Sequence, residues 1–181
     1  MDNILKLLCH KETQAKSIKN VAVEAMLSGQ GQLSLRYHVD CHISALETGH
    51  PKPPMRTDRL WESTCFEIFL RGEGQAYIEL NFAPSGQWAA YHFTRYRGGM
   101  TALDIAAPQI ALNESESRFA LEAGVQLPKD WTGLDLQAAI SCVCEETDGV
   151  KSYWALAHNY DRPDFHDQAC FTKILKAAGT A

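Results

Sequence analysis

Two glutamates, Glu67 and Glu79, each stand inside an alternating apolar segment: Thr64-Cys65-Phe66-Glu67-Ile68-Phe69-Leu70 and Ala76-Tyr77-Ile78-Glu79-Leu80-Asn81-Phe82. A strand sends successive side chains to opposite faces. Phe66, Ile68 and Leu70 therefore share one side and Cys65, Glu67 and Phe69 the other, while Ile78, Leu80 and Phe82 oppose Tyr77, Glu79 and Asn81. The aliphatic set belongs to a core, which leaves acids, an amide and aromatic rings together on the opposite face. With the connecting turn centred on Glu73, Glu67 falls directly across from Glu79, Phe69 from Tyr77 and Cys65 from Asn81. Directly opposed residues have Cβ atoms about 4.5–5.5 Å apart, and like charges there are destabilising. Such a pair calls for an offset: a proton shared so that one pKa rises, a cation such as Arg or Ca²⁺, or a ligand whose hydroxyls donate to both carboxylates.

Pro84-Ser85-Gly86 has the form of a three-residue hairpin loop, a type I turn with proline first and glycine in the left-handed position. That loop places Tyr91 opposite Glu79 and carries the same face on through Phe93, Arg95 and Arg97. A two-residue loop would present Trp88 and His92 instead. Trp61 lies just before the first of these strands, at the edge of a proline-rich stretch. Aromatic plates beside acids and amides suit a sugar, because its hydroxyls need directed acceptors and its C–H faces stack on rings. Trp61, Glu67, Tyr77, Glu79, Asn81, Tyr91 and Arg95 form the candidate ligand-binding set.

The elements that must hold these residues are strands. Val21, Val23 and Ala25 alternate, then Leu33, Leu35, Tyr37 and Val39, with Ser28-Gly29-Gln30-Gly31 as the turn between them. The stretch from Ala45 to Asp58, with Pro51, Pro53 and Pro54, has no periodicity and reads as a loop. A three-stranded meander follows, its last strand Gln87 to Thr94. Further strands are expected at Gln109–Asn113, Arg118–Gln126, Leu134–Glu145 and Tyr153–Ala157, with a closing segment at Phe171–Leu175. Only the first few residues could form a helix with any comfort. About ten evenly spaced strands predict an all-β fold, an antiparallel β-sandwich of the immunoglobulin-like or jelly-roll type, as one domain over residues 1–181.

Composition narrows the partners. The chain is 45% hydrophobic and 22% charged, with a net charge of -5 and scattered Lys and Arg, which argues against nucleic acid and membrane surfaces. The N-terminus lacks the pattern of a secretory signal, and no stretch approaches the roughly 20 apolar residues that span a bilayer, so a cytoplasmic protein is expected. The six cysteines are then expected as thiols, with Cys142 and Cys144 on one face of an apolar strand as core residues.

The runs Leu60-Trp61-Glu62-Ser63-Thr64-Cys65-Phe66-Glu67-Ile68-Phe69-Leu70 and Tyr77-Ile78-Glu79-Leu80-Asn81-Phe82-Ala83-Pro84-Ser85-Gly86-Gln87-Trp88-Ala89-Ala90-Tyr91 resemble the DOMON-like group related to family 9 carbohydrate-binding modules. The likeness is to its small stand-alone bacterial branch, associated with the genomic neighbourhood of UDP-N-acetylenolpyruvoylglucosamine reductase. The resemblance implies a non-catalytic binding domain for a carbohydrate or a sugar-containing cell-wall precursor. In the sugar-binding relatives one Trp precedes a strand bearing a Glu, as Trp61 and Glu67 do here, and a late Trp forms the second jaw of an aromatic clamp, for which Trp154 stands by position. Other relatives bind haem through Met and His or carry calcium. Met26, Met55 and Met100 show no recognisable pairing with histidines, and Asp58, Asp161, Asp164 and Asp167 follow no known calcium-loop spacing, so no cofactor is expected.

Two rival readings come from other classes. A glycoside hydrolase would use Glu67 and Glu79 as its acid and base or nucleophile. A protein-interaction module would use a sheet edge or the proline-rich loop. Tyr160-Asp161-Arg162-Pro163-Asp164-Phe165-His166-Asp167 is the densest cluster of reactive side chains; it reads first as a loop held by Asp–Arg pairing and Asx turns, and secondarily as a metal or acid–base site around His166.

Overall fold

Alternating apolar residues in short runs, punctuated by glycine and proline, produce strands almost throughout. The structure, a computed structural model, describes residues 4–159 and 161–178. It contains β1 (Leu5–Cys9), β2 (Asn20–Ser28), β3 (Gln32–Asp40), β4 (Cys65–Arg71), β5 (Tyr77–Phe82), β6 (Trp88–Phe93) and β7 (Thr101–Ala102). There follow β8 (Gln109–Ser115), β9 (Arg118–Gln126), β10 (Leu136–Glu145), β11 (Lys151–Ala155), β12 (Lys173–Leu175) and β13 (Ala177–Ala178). Only short 3-10 turns interrupt them, and the described residues include no α-helix.

Eleven strands follow one another in a single sheet, in the order β7-β6-β5-β4-β10-β11-β1-β2-β3-β9-β8, with β12 beside β10 and β13 beside β2. Every pairing along that order is antiparallel; only β13 runs parallel to its neighbour. The sheet curls into a half-barrel around the main core, which brings β4 against β9. Strand β1 is the seam: Leu5–Leu7 pair with β2 and Leu8–Cys9 with β11. The first few residues, the one place where a helix could have formed, give a strand from Leu5, and Met1–Asn3 lie outside the described residues. So short a segment cannot sustain a helix in water, whereas β-pairing on both sides satisfies its backbone.

Phe66 of β4 stacks on Phe119 of β9, centroids 5.8 Å apart, and Tyr37 of β3 packs 4.9 Å from Phe66. All three rings are fully buried. Truncating Phe66 to alanine would cost about 3–5 kcal/mol, since the facing strands could not close over the cavity. The Tyr37 hydroxyl crosses the core to donate to the Glu67 carbonyl at 2.8 Å, anchoring the backbone that carries this acid. Cys142 and Cys144 face the same core, Sγ atoms 3.7 Å apart, and all six cysteines are unbridged.

Register between β4 and β5 differs from the expected one. Glu67 faces Asn81, Phe69 faces Glu79 and Arg71 faces Tyr77, because the turn is centred on Gly74 (φ 91°) rather than Glu73. The two glutamates are therefore diagonal neighbours, a relation that puts backbones about 7–8 Å apart. A shift of two residues preserves the faces, so both acids still leave the core on the same side. At the next turn Gly86 (φ 91°) takes the left-handed position after Pro84 and Ser85, its N–H bonding the Ala83 carbonyl at 3.0 Å, and Tyr91 lies opposite Glu79 as expected.

Candidate functional site

The side of β4, β5, β6, β10 and β11 turned away from the main core is walled into a cleft rather than left as an open sheet face. Beneath it runs a polar row at directly paired positions, Asn81, Glu67 and Ser141 on β5, β4 and β10, flanked by Ala89 and Ala155, of which Glu67 lines the cleft. All three polar side chains are buried, and each has an unpartnered oxygen: Asn81 Oδ1, Glu67 Oε1 and Ser141 Oγ. Buried polar groups normally find partners. Of these three orphans, the Glu67 oxygen belongs to a residue that lines the cleft.

One wall comes from the proline-rich loop. Arg56 lies over the Trp88 and Tyr91 rings, 5.5 and 5.8 Å from their centroids, and its guanidinium donates to the carbonyls of Leu103 and Ala90. Asp58 then accepts from the Tyr91 hydroxyl at 2.7 Å. Arg59 turns the chain with a left-handed backbone (φ 64°) into a 3-10 turn, Leu60–Glu62. That turn lifts Trp61 to the rim, 40% exposed, edge-on to Tyr91 with centroids 6.4 Å apart.

The opposite wall is the segment after β11. Arg97 Nη2 donates to Asp164 Oδ1 at 2.8 Å, Tyr96 donates to Oδ2 of the same carboxylate, and the His166 N–H donates to Oδ1 at 3.1 Å. This clamp lays His166 against Phe69, Phe93 and Tyr77, with centroids 4.9, 5.2 and 5.8 Å away. Burial opposes ionisation of Asp164, but the hydrogen bonds from Arg97 and Tyr96 outweigh it and hold the carboxyl below its ordinary range. The enclosed space is about 510 Å³, bounded by Trp61, Tyr91, Phe69, Phe93, Tyr153 and Phe165, with Glu67, Glu79, Arg97 and His166 as its charged or titratable groups besides the tyrosines.

Both acids resist ionisation. Burial pushes Glu67 well above the usual carboxylate range, the Glu79 charge adds to the rise, and a hydrogen bond with the Cys65 thiol opposes it. Glu79 is pushed up to about 7 by burial, against the Asn81 amide, which donates to Oε1 at 2.7 Å, and the charge of Arg97. His166 is pushed down to about 4, by burial first and then by Arg97. Its Nε2 lies 3.8 Å from Glu79 Oε2, but near neutral pH the imidazole is uncharged and the contact is no ion pair. Tyr77 couples to the tautomer. Its oxygen accepts the Arg97 N–H at 3.1 Å and lies 2.8 Å from His166 Nδ1. A phenol proton donated to Nδ1 would leave the imidazole's own proton on Nε2, facing Glu79.

Of the residues singled out from sequence, Trp61, Glu67, Glu79 and Tyr91 line the cleft. Asn81 lies beneath it as the hydrogen-bond partner of Glu79, and Tyr77 lies behind His166. Two fall elsewhere. Trp154 points into the main core and donates its indole N–H to Ser152 Oγ at 2.9 Å, because β11 directs Tyr153, not Trp154, to the cleft side. Arg95 sits in the turn after β6, bridged to Gly98, and borders a neighbouring depression with Arg71 and Tyr96. The cluster near the C-terminus pairs across the fold, Asp161 with Lys11 and Asp164 with Arg97, and His166 enters the cleft; Tyr160 lies outside the described residues.

No family model matches the chain, and no curated protein matches it in sequence. Among solved structures it is similar to the crystal structure of a "putative carbohydrate-binding protein" from Bacteroides uniformis. The TM-score is 0.63 at 15% identity, over 92% of this chain and 83% of that one, a likeness of fold.

Proposed function

We propose that the cleft binds a saccharide without transforming it. The observation that carries this reading is the juxtaposition of the acids Glu67 and Glu79, Glu67 with an unpartnered carboxyl oxygen, with aromatic rings on the walls and a half-exposed indole at the mouth. Sugar hydroxyls would donate to Glu67 and Glu79, Nε2–H of His166 would donate to a ring or hydroxyl oxygen, and Trp61 would cover an apolar sugar face. The description carried by the Bacteroides structure supports the same ligand class. The fold is read here as a β-sandwich of the jelly-roll type in the DOMON-like group, a reading supported by the curl that brings β4 against β9 and by the Trp61 to Tyr91 motif.

Titration of the protein with neutral mono- and disaccharides, followed by NMR, tests it. Binding is expected, weakened at least about tenfold by Trp61→Ala and by Glu67→Gln, the loss of one good contact being worth about 1.4 kcal/mol. No binding by any saccharide, up to the solubility of each, overturns it.

One observation favours a second reading. A carboxyl at about 7 beside another acid is the equipment of a general acid in glycoside hydrolysis. Turnover of a chromogenic glycoside that disappears in Glu79→Gln would establish that reading, and silence at high enzyme concentration would remove it.

A further inference from the structure

The described residues give the acids inside the cleft no cation of their own. Glu67 and Glu79 are 3% and 5% exposed, and among the described residues no lysine or arginine forms an ion pair with either. The one guanidinium in the lining, Arg97, is committed to Asp164 at 2.8 Å. His166, the remaining basic group, is neutral near pH 7. A neutral sugar can hydrogen-bond to this pair but cannot repay its ionisation, so with such a ligand the pair keeps a proton. The walls add a second, independent preference. Trp61, Tyr91, Phe69, Phe93, Tyr153 and Phe165 turn aromatic rings around the acids, and aromatic rings attract a desolvated cation through their negative faces. The orphaned Glu67 Oε1 supplies an acceptor with no partner inside the protein.

Resting on the saccharide reading above, we infer that the preferred ligand is an amino sugar whose protonated amine sits between Glu67 and Glu79 within the aromatic walls. The ammonium donates to both carboxyl groups and compensates the ionisation of one of them while the other keeps its proton, which neither sugar hydroxyls nor an acetamido group can do. N-acetylation removes the charge and enlarges the group, so it is selected against twice.

The test titrates the full chain at pH 7.5 with glucosamine, glucose, N-acetylglucosamine and cyclohexylamine, monitored by NMR. Glucosamine is expected to bind at least about tenfold more tightly than glucose or N-acetylglucosamine, the scale of one desolvated cation–π or ion-pair contact. That preference should collapse towards parity in Glu67→Gln, with glucose binding changed less than glucosamine binding. Glucose or N-acetylglucosamine binding as tightly as glucosamine overturns the amine and leaves the saccharide reading standing. Cyclohexylamine binding with no response to any sugar overturns the saccharide reading and keeps the cation site. Should Glu67→Gln unfold, Glu79→Gln replaces it in the same comparison, and the wild-type ranking alone already decides between the outcomes.

Discussion

His166 Nε2 stands 3.8 Å from Glu79 Oε2, and burial drives the two groups towards the same uncharged condition, the imidazole down to about 4 and the carboxyl up to about 7. Two groups that would form an ion pair in water meet here as neutral neighbours.

The pH dependence of stability follows with opposite signs. Glu79 binds its proton more tightly folded than unfolded, so its contribution is present below 4.5 and is lost as pH rises through about 7. His166 binds its proton less tightly folded, so it destabilises as pH falls from 6.5 towards 4. Between about 4.5 and 6.5 these slopes offset each other. Glu67, raised well above its ordinary value, adds loss with rising pH. Groups facing these three are Cys65 on β4, Tyr77 on β5, Tyr91 on β6, and Arg97 and Asp164 in the clamp. Urea unfolding should therefore show a shallow decline from pH 5 to 6.5, owed to Glu67, and a steeper one just above 6.5, where His166 no longer offsets Glu79. In His166→Gln the steeper decline should begin near pH 4.5. A stability that holds level to pH 8 would contradict this account.

Glu67→Gln should raise stability at pH 8 by about 1–3 kcal/mol and change it little at pH 5, since above its ordinary range the glutamate must hold a proton in the fold that it gives up on unfolding, and the glutamine has none to hold. The new amide N–H also lies in one row with the orphaned oxygens of Asn81 and Ser141. Paired urea curves at the two pH values read the difference directly.

Trp61 and Trp154 should separate cleanly. Trp61→Ala, at an exposed rim, should change stability by less than about 0.5 kcal/mol while weakening saccharide binding. Trp154→Ala, in the core, should cost about 3–5 kcal/mol. Thermal melts with and without ligand would show whether the two indoles have these different duties.

Tyr77→Phe removes the hydroxyl that joins the Arg97 N–H to His166 Nδ1. A loss of about 1–3 kcal/mol is expected from the backbone N–H left without its acceptor. The ¹⁵N shifts of the His166 ring should report the Nε2–H tautomer in wild type and a mixture in the variant. A mixture already present in wild type would refute the assignment.

Much of the strand pattern was legible from alternation: β9 runs Arg118–Gln126 as expected, and Pro84-Ser85-Gly86 correctly placed Tyr91 across from Glu79. The β4–β5 register was not, because either Glu73 or Gly74 can centre the turn, and only packing across five strands selects one. Trp154 was misplaced by analogy with the late Trp of sugar-binding relatives. Its own register was the better guide, since it lies opposite Cys142, already assigned to the core. His166 carried no local signal of its position. It reaches the cleft through a clamp between Asp164 and residues of the 94–100 turn, a contact that depends on the finished fold. Arg97, which the sequence puts on the same face as Glu79 with Phe93 and Arg95, does line the cleft, though from the turn after β6 rather than from the strand.

The seam made by β1 sets a timetable for synthesis. Leu5–Leu7 can dock on β2 as soon as Val21–Val23 have emerged, but Leu8 and Cys9 wait for Ala155 and Trp154. At about 5–20 residues per second that wait is on the order of ten seconds on a ribosome. Through that interval the growing chain presents unpaired strand borders at β1 and β4, the two places where a neighbouring chain or a chaperone would find it most receptive.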